Sequence, residues 1–287
     1  MRSEIIVGTA ATLAALMLAS TAFAQLIALK EGAVVMGHVG LNSTSVEEHK
    51  KFWSSLGGTA INAFGNREMF QFPNIFVSPG HGSAPTGGTA GTTVDHIGFR
   101  VPDLRAIVRK MKMTGYPFGT RAEVPARYDV QDDIAFIADQ KTYAAFLTGP
   151  DGMKIELVEA KQTPFPIALD HIHYAGQQAD QMREWYVKVL GAKPGTRGSL
   201  AAAELPGVTL VFQPSSGPVV GTVGRVLDHV SFEVKDLAAF CQRLEAKGVK
   251  LGRPYSKVTT MDLGVAFLTD PWGTSIEFTE GYDKAAR

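Results

Sequence analysis

The sequence contains the same short pattern twice, and this internal repeat is the feature that most constrains the fold. The run Val94-Asp95-His96-Ile97-Gly98-Phe99 returns 133 positions later as Leu227-Asp228-His229-Val230-Ser231-Phe232. The run Gly37-His38-Val39-Gly40 returns at the same offset as Asp170-His171-Ile172-His173. A repeat of this kind predicts two copies of one supersecondary arrangement. Because histidines return to fixed places, it also predicts duplicated metal-site geometry.

Each copy divides again into two units that read strand, helix and then about three strands. Gly/Pro/Ser-rich stretches at 78–92 and 214–224 separate the units within a half, and 161–166 separates the halves. One unit leaves a sheet face uncovered, so consecutive units are expected to pair into open, cup-like sheets lined by alternate strand residues. The prediction is an α+β fold of four βαβββ units, with domains at 33–160 and 167–282.

Composition narrows the class of partner. The net charge is zero and 45% of residues are hydrophobic, which is ordinary for a globular protein. A neutral chain has no electrostatic reason to bind nucleic acid or an anionic membrane surface. A small-molecule substrate is therefore expected, and homo-oligomerisation is left open. The single cysteine, Cys241, excludes an intramolecular disulfide and is interpreted as a small buried apolar residue.

The first 24 residues read as an export signal. Arg2 precedes an apolar run at 5–20, and Ala22-Phe23-Ala24 supplies small residues for cleavage. The alternative is an uncleaved membrane anchor, for which the run is short. The expectation is a signal peptide over 1–24 and a protein that is periplasmic or secreted, with no membrane contact after cleavage.

Each half also carries two histidines on first strands and a glutamate on a last strand. In the second half these are His171, His229 and Glu277, which we take as the preferred metal site. The first-half counterparts, a second candidate site, are His38, His96 and Glu156. Two imidazoles and one carboxylate can cover one face of a divalent ion and leave positions open for water or substrate. The ligand types do not distinguish iron, manganese, nickel and zinc. The alternative is a fold that keeps these residues without an ion.

The residues two places after the histidines share their strand face. Three of them are small, namely Gly40, Gly98 and Ser231, which leaves room for a ligand or serves tight packing. The fourth is His173, which either exchanges protons with substrate or is a hydrogen-bonded wall residue. His173 favours the second half, and the predicted catalytic residues are His173 and Glu277.

Two motifs resemble a known family. The strands Asp-His-x-x-Phe-x-Val and the ending Asp-Pro-Trp-Gly-Thr-Ser-Ile-Glu-Phe are similar to the vicinal oxygen chelate superfamily, over about residues 35–281. That superfamily includes glyoxalase I, bleomycin and fosfomycin resistance proteins, methylmalonyl-CoA epimerase and extradiol dioxygenases. The resemblance implies paired βαβββ modules in a glyoxalase-like fold, with the metal held on the cup floor by the histidines and glutamates named above.

The sequence departs from its relatives at two places. Glyoxalase I and the epimerase have a fourth ligand on the last strand of the first module of each pair, where this chain offers only Gln213, whose counterpart is Gly80. The extradiol signature has a Tyr where Phe267 stands and a His near residues 258–260, which are Val-Thr-Thr. A three-ligand site is therefore expected.

The expected function is Lewis-acid catalysis by a divalent metal on a small oxygenated substrate, as in a lyase or isomerase. The alternatives are an extradiol-type dioxygenase and a non-catalytic binding protein of the resistance type. Between its second histidine and its glutamate the first half spans 60 positions, against 48 in the second. The additional residues are expected to gate the first-half cup. His49 is expected to be solvated on a helix surface.

Overall fold

The structure is a computed structural model that describes residues 29, 34–64, 67–80 and 83–284. The signal peptide expected over 1–24 lies outside the described residues. Within the described part of the chain, no helix has both the length and the apolar character needed to cross a membrane.

The first half contains two successive units. The elements of the first unit are β1 (Val34–Leu41), α1 (Val46–Leu56), β2 (Thr59–Ala63), β3 (Arg67–Phe72) and β4 (Ile75–Pro79). The elements of the second unit are β5 (Val94–Val101), α2 (Leu104–Met113), α3 (Thr120–Glu123), β6 (Val130–Gln131), β7 (Ile134–Ile137), β8 (Thr142–Thr148) and β9 (Lys154–Glu159). The second unit is thus the predicted one with a short additional helix and strand.

The second half repeats this order. The elements of the third unit are β10 (Ala168–Gly176), α4 (Ala179–Leu190), β11 (Lys193–Arg197), β12 (Leu200–Leu205) and β13 (Val208–Pro214). The elements of the fourth unit are β14 (Leu227–Val234), α5 (Leu237–Ala246), β15 (Arg253–Val258), β16 (Leu263–Thr269) and β17 (Ser275–Glu280). The predicted α+β architecture of four βαβββ units in two sheets is confirmed.

Helices α1 and α2 begin where the sequence supplies a capping side chain. Ser45 accepts a hydrogen bond from the Glu48 amide at the start of α1, and Asp103 accepts one from the Ala106 amide at the start of α2. Such caps satisfy amides that have no partner inside the helix. Gly57 ends α1 with a φ of 124°, a backbone conformation that favours glycine.

The two sheets combine units from different halves. The eight-stranded sheet has the order β15-β16-β17-β14-β1-β4-β3-β2, and the nine-stranded sheet has the order β11-β12-β13-β10-β5-β9-β8-β7-β6. The first unit therefore shares a sheet with the fourth, and the second unit with the third. The prediction that consecutive units of one half pair is wrong, because 33–160 and 167–282 each give one unit to each sheet.

Linker length explains this pairing. The linker at 161–166 is short, so β10 forms an antiparallel pair with β5 in the sheet that β9 has just completed. The longer linkers at 78–92 and 214–224 instead carry the chain from one sheet to the other. They run side by side and are joined by backbone hydrogen bonds, such as the 2.8 Å bond from the Thr86 amide to the Gly224 carbonyl.

Strand alternation separates a core face from a cup face. In β1, Val39 and Leu41 belong to the main hydrophobic core, whereas His38 lies on the opposite face. Trp53 of α1 contacts both Phe72 of the eight-stranded sheet and Phe99 of the nine-stranded sheet. One continuous core therefore joins the sheets and helices, and each cup face carries polar side chains together with a smaller apolar cluster.

Candidate metal centres

The nine-stranded sheet brings four potential ligands together on its cup face: His96, Glu156, His171 and His173. His96 and His171 lie on adjacent antiparallel strands, and Glu156 lies on the parallel strand beside β5. Glu156 Oε2 is 3.1 Å from His96 Nε2 and 2.9 Å from His171 Nε2. The two Nε2 atoms are 3.4 Å apart. We call His96, Glu156 and His171 the nine-strand site.

The eight-stranded sheet brings together His38, His229 and Glu277, which we call the eight-strand site. Glu277 Oε2 is 3.0 Å from His38 Nε2 and 3.2 Å from His229 Nε2. Each site therefore draws ligands from both halves of the chain. The predicted groupings of His171 with His229 and Glu277, and of His38 with His96 and Glu156, are wrong because they assumed that consecutive units share a sheet.

The distances between donor atoms fit a single divalent ion. Two donors at about 2.0–2.1 Å from a metal, with a ligand–metal–ligand angle of about 90–109°, lie about 2.9–3.4 Å apart. The three distances within the nine-strand site, 2.9, 3.1 and 3.4 Å, cover this interval. Two imidazole nitrogens and a carboxylate oxygen suit zinc, iron, nickel or manganese. The residues present therefore fit a divalent metal.

The other ring nitrogen of each nine-strand histidine is held by the aspartate that precedes it. His96 Nδ1 is 2.8 Å from Asp95, and His171 Nδ1 is 2.8 Å from Asp170. A carboxylate at Nδ1 keeps the proton there, which leaves the Nε2 lone pair for a metal. Each aspartate also bonds a cation: Lys154 reaches Asp95, and Arg197 reaches Asp170.

The eight-strand site has only one such support. His229 Nδ1 is 3.0 Å from Asp228, which also accepts hydrogen bonds from the Asn42 amide group and the Gly224 backbone. His38 follows Gly37 rather than an aspartate, and its buried Nδ1 has no hydrogen-bond partner among the described residues. The nine-strand site is therefore the better organised for metal.

Glycines on the neighbouring strand leave room for the ligand rings. Gly98 is paired with His171, and Gly40 with His229. A Cβ at Gly98 would lie less than 3.0 Å from three atoms of the His171 ring, and a Cβ at Gly40 would do the same to His229. Of the two interpretations of these small residues, the structure supports tight packing, against a ligand ring rather than beneath a bound substrate.

His173 occupies the position opposite His96. The two rings stack, with centroids 4.2 Å apart and planes inclined by 26°. His173 Nε2 is 2.9 Å from Gln213 Oε1, and since that oxygen is an acceptor, Nε2 donates and Nδ1 keeps the lone pair. Both interpretations of His173 thus have support, because it lies on the cup floor and is hydrogen-bonded there.

Burial and charge set the protonation of these groups. Burial lowers the pKa of His173 well below its usual value, and the neighbouring His96 and His171 lower it further. Burial alone would also lower the pKa of His96, but hydrogen bonds to Asp95 and Glu156 outweigh it and the pKa is raised. Burial would raise the pKa of Glu156, but His171 and His96 hold it well below the usual range.

The pKa values of the two histidines in the eight-strand site shift in opposite directions. Burial lowers the pKa of His229, but hydrogen bonds to Asp228 and Glu277 outweigh it and raise the value to about 9. For His38, which lacks the aspartate, burial outweighs the Glu277 interaction and the pKa is lowered. The difference between the two rings follows from the residue that precedes each.

A cavity of about 670 Å³ opens above the nine-strand site. His96, Glu156, His173 and Gln213 lie on its surface, together with apolar side chains such as Phe146. The additional residues of the second unit also line it, through Val124, Pro125, Arg127 and Tyr128 among others. The segment expected to gate a cup therefore forms a wall of this one, although the cup combines both halves.

The eight-strand cup is filled by side chains of the protein itself. Apolar residues of both its units and of the C-terminal turn cluster there: Ala63, Met69, Phe76, Leu263, Val265 and Tyr282. The Tyr282 ring stacks on His38, with centroids 4.2 Å apart and planes inclined by 11°. Backbone amides of Gly281 and Tyr282 donate to the buried Glu233, which fixes the turn. Glu277, predicted to be catalytic, thus lies in the filled cup.

Several supporting residues were missed in the sequence. Asp95, Asp170 and Asp228 could have been found, because each directly precedes a histidine in the sequence. Arg197 lies on β11, and no local sequence pattern indicates that it contacts Asp170. His49, expected to be solvated, is fully buried and lies 3.1 Å from Asp151. It accepts a hydrogen bond from Trp53 and joins α1 to the turn that precedes β9.

Comparison with known proteins agrees with this arrangement. Residues 168–278 match the family model described as the Glyoxalase/Bleomycin resistance protein/Dioxygenase superfamily. No curated protein matches the chain. Glyoxalase I from Zea mays is similar in structure, with a TM-score of 0.65 and 15% identity, covering 88% of this chain and 94% of that one.

A second structure gives the same result. A putative dioxygenase from Bacillus subtilis has a TM-score of 0.62 and 13% identity, covering 86% of this chain and 85% of the other. At such low identity these likenesses show a shared fold. The match over residues 168–278 relates that segment to the Glyoxalase/Bleomycin resistance protein/Dioxygenase superfamily, and the structural similarities extend the shared fold over most of the chain.

Proposed function

We propose that the protein is a divalent-metal enzyme whose active site is the nine-strand site, acting on a small oxygenated molecule as a lyase or isomerase. The observation that carries this proposal is the cluster of three potential ligands and His173, of which His96, Glu156 and His173 line an open cavity of about 670 Å³. The eight-strand site has a similar ligand set, but its cup is filled. The open cavity therefore favours the nine-strand site.

His96, His171 and Glu156 would hold the metal. Bound there, a divalent ion supplies Lewis-acid polarisation of substrate oxygens. Asp95 and Asp170 keep the Nδ1 protons in place and so orient both rings. The cavity wall, including Phe146 and Val124, limits access of water to the reacting atoms.

His173 is the group in this site that suits proton transfer. Its Nε2–H is committed to Gln213, so the Nδ1 lone pair is the one that can accept a proton. In the isomerisation of an α-hydroxy carbonyl compound, Nδ1 would take the proton from the carbon that bears the hydroxyl group and return it to the former carbonyl carbon. The C–H electron pair forms a C=C bond while the carbonyl π pair moves onto its oxygen, which gives an enediolate. The hydroxyl proton passes to that oxygen, so the two functional groups exchange places and no proton is gained or lost.

The names of the structural relatives leave two chemistries to compare. The Zea mays protein is named as a glyoxalase, and the Bacillus subtilis protein is named as a putative dioxygenase. A two-histidine, one-carboxylate face suits both. His173, placed beside His96 with a free lone pair, favours proton transfer, so we place the lyase or isomerase first.

Two measurements test the proposal. Protein purified without chelator is analysed for metal, and exchange of the carbon-bound protons of hydroxyacetone is followed by NMR in deuterated buffer. The expected results are one of zinc, nickel or manganese, and exchange that is lost in His173→Gln although metal content is kept. Iron with oxygen uptake on catechol would replace the proposal by a dioxygenase. Absence of metal at the nine-strand site would leave a binding protein.

We also propose that the chain is exported and that 1–24 is removed. The support is the apolar run between Arg2 and the small residues that end at Ala24. Mass spectrometry of the protein recovered from the periplasm or medium should find an N-terminus at Gln25. Recovery of full-length chain in the membrane fraction would instead support an uncleaved anchor.

A further inference from the structure

The cavity above the nine-strand site has one wall that the other cup lacks. It is built by the additional residues between α2 and β7, which include α3. Arg121 holds this segment in shape, since its guanidinium donates to the carbonyls of Val124, Pro125 and Tyr128 at 2.7–2.9 Å. The side chains that this wall presents to the cavity are therefore part of an ordered surface.

Two cationic side chains, besides the histidines, line this cavity, and only one of them is neutralised. Lys154 Nζ is 2.9 Å from Asp95 and 2.8 Å from Glu123. Arg127 has no carboxylate within ion-pair distance among the described residues. Its guanidinium lies over the Tyr128 ring, 4.7 Å from the centroid, and donates one hydrogen bond of 3.2 Å to the Tyr128 hydroxyl. Most of its five N–H donors remain available.

The acidic side chains of the lining are already occupied. Glu156 contacts the two histidines, while Asp95 and Glu123 bind Lys154. Asp139 accepts hydrogen bonds from the Tyr128 hydroxyl at 3.1 Å and from the Ser199 hydroxyl at 3.0 Å and amide at 3.3 Å. Among the described side chains of the lining, Arg127 is therefore the cationic group that remains available to an anionic ligand.

Apolar side chains share the cavity with these polar groups. Val124, Phe146, Leu200 and Val219 line it together with Arg127, His96 and Glu156. A ligand that contacts all of these groups therefore combines oxygens for the metal, an apolar portion and an anionic group. The planar guanidinium matches a carboxylate, to which it can donate two parallel hydrogen bonds.

We propose that Arg127 forms a carboxylate subsite, and that the substrate class is a small organic acid with neighbouring oxygens at the end opposite its carboxylate. The inference rests on the proposed function, because it places those oxygens at the nine-strand site. Stacking on Tyr128 orients the guanidinium plane. Arg127 itself is exposed at the cavity rim, so its contribution is moderate.

Binding of hydroxamates to the zinc-loaded full-length protein tests the subsite without any assumption about turnover. A hydroxamate chelates a metal through two neighbouring oxygens. The monohydroxamates of succinic, glutaric and adipic acid carry a carboxylate at increasing distance, and their methyl esters are neutral controls. At least one acid is expected to bind about tenfold more tightly than its ester, as one charge-assisted bidentate contact supplies.

Three variants separate the possible results. Arg127→Ala is expected to remove the preference for acid over ester, while its affinity for the esters stays within about twofold of wild type. Arg127→Lys is expected to keep part of the preference. Arg109→Ala, the same charge change on the exposed surface of α2, is the matched control and is expected to behave as wild type. No preference for any acid, or a preference that persists in Arg127→Ala, overturns the subsite.

If the proposed function is wrong, the affinities of the acids and esters change in a different way. Both acids and esters should lose affinity in Glu156→Ala and keep it in Glu277→Ala. If neither acids nor esters bind the wild-type protein, or if the Glu156→Ala variant binds them normally, the nine-strand site is not the chelating centre. That result contradicts the proposed function itself, whereas loss of the acid preference alone contradicts only the subsite.

Discussion

Replacement of Gly98 by alanine should weaken metal binding at the nine-strand site about 100-fold while leaving the fold in place. The new Cβ would lie less than 3.0 Å from three ring atoms of His171, closer than real Cβ atoms approach. The obstacle is a ring rather than a flexible chain end, and it belongs to a fully buried side chain. The ring must therefore leave its position.

The size of the effect follows from what the His171 ring does there. Its displacement breaks the 2.8 Å contact with Asp170 and the 2.9 Å contact with Glu156. Loss of a residue that only supports a ligand typically weakens metal binding 10–100-fold. Loss of the ligand itself should cost at least the upper end of that range, about 100-fold or roughly 2.7 kcal/mol.

The measurement is zinc affinity by competition with a chromophoric chelator. A Glu277→Ala background confines binding to the nine-strand site. Gly217→Ala is the matched control, because a Cβ at that position would meet nothing within 4 Å. Gly40→Ala should act in the same way on His229 in the reciprocal Glu156→Ala background. Wild-type zinc affinity in the Gly98→Ala protein would show that His171 is not a ligand.

Three further predictions concern the supports of the two sites. Asp170→Asn should weaken zinc binding at the nine-strand site about 10–100-fold, whereas Asp228→Asn should affect only the eight-strand site; equal losses at both sites in either variant would contradict this assignment. The pKa of His229 is raised to about 9 from 6.5, so its stabilisation is complete below pH 6.5 and is lost as the pH rises to 9. Urea denaturation of metal-free protein should therefore show stability falling by up to about 3 kcal/mol over that window, with a shallower slope in His229→Gln. Tyr282→Ala should destabilise the protein by about 3–5 kcal/mol, because it removes a buried ring from the eight-strand cup, whereas Tyr143→Ala, at a half-exposed position, should change stability by less than about 1 kcal/mol.

The sequence predicted the units well because their signals are local. Strand alternation acts within a few residues, and the capping hydrogen bonds that the structure shows at Ser45 and Asp103 are equally local. The identity of the potential ligands was also readable, since the repeat returns His38 and His96 as His171 and His229.

The grouping of those ligands was not readable, because it depends on how units pair. Strands of any two units present the same complementary edges, so the local pattern does not choose between partners. The choice follows from the lengths of three linkers and from the hydrogen bonds between two of them, such as the bond between Thr86 and Gly224. The filling of one cup by Tyr282 likewise depends on where the chain turns after β17.

The sharing of each ligand set between halves has a consequence for biogenesis. His96 and Glu156 come before residue 161, but the nine-strand set is complete only once His171 has emerged, and the eight-strand set only once Glu277 has. A chain emerging from the ribosome, or threading through a translocation channel as the export proposal requires, therefore passes most of its length without a finished ligand set. Metal would be acquired late, in the compartment where the C-terminal strand arrives, and the nine-strand ligands would be ready before the others.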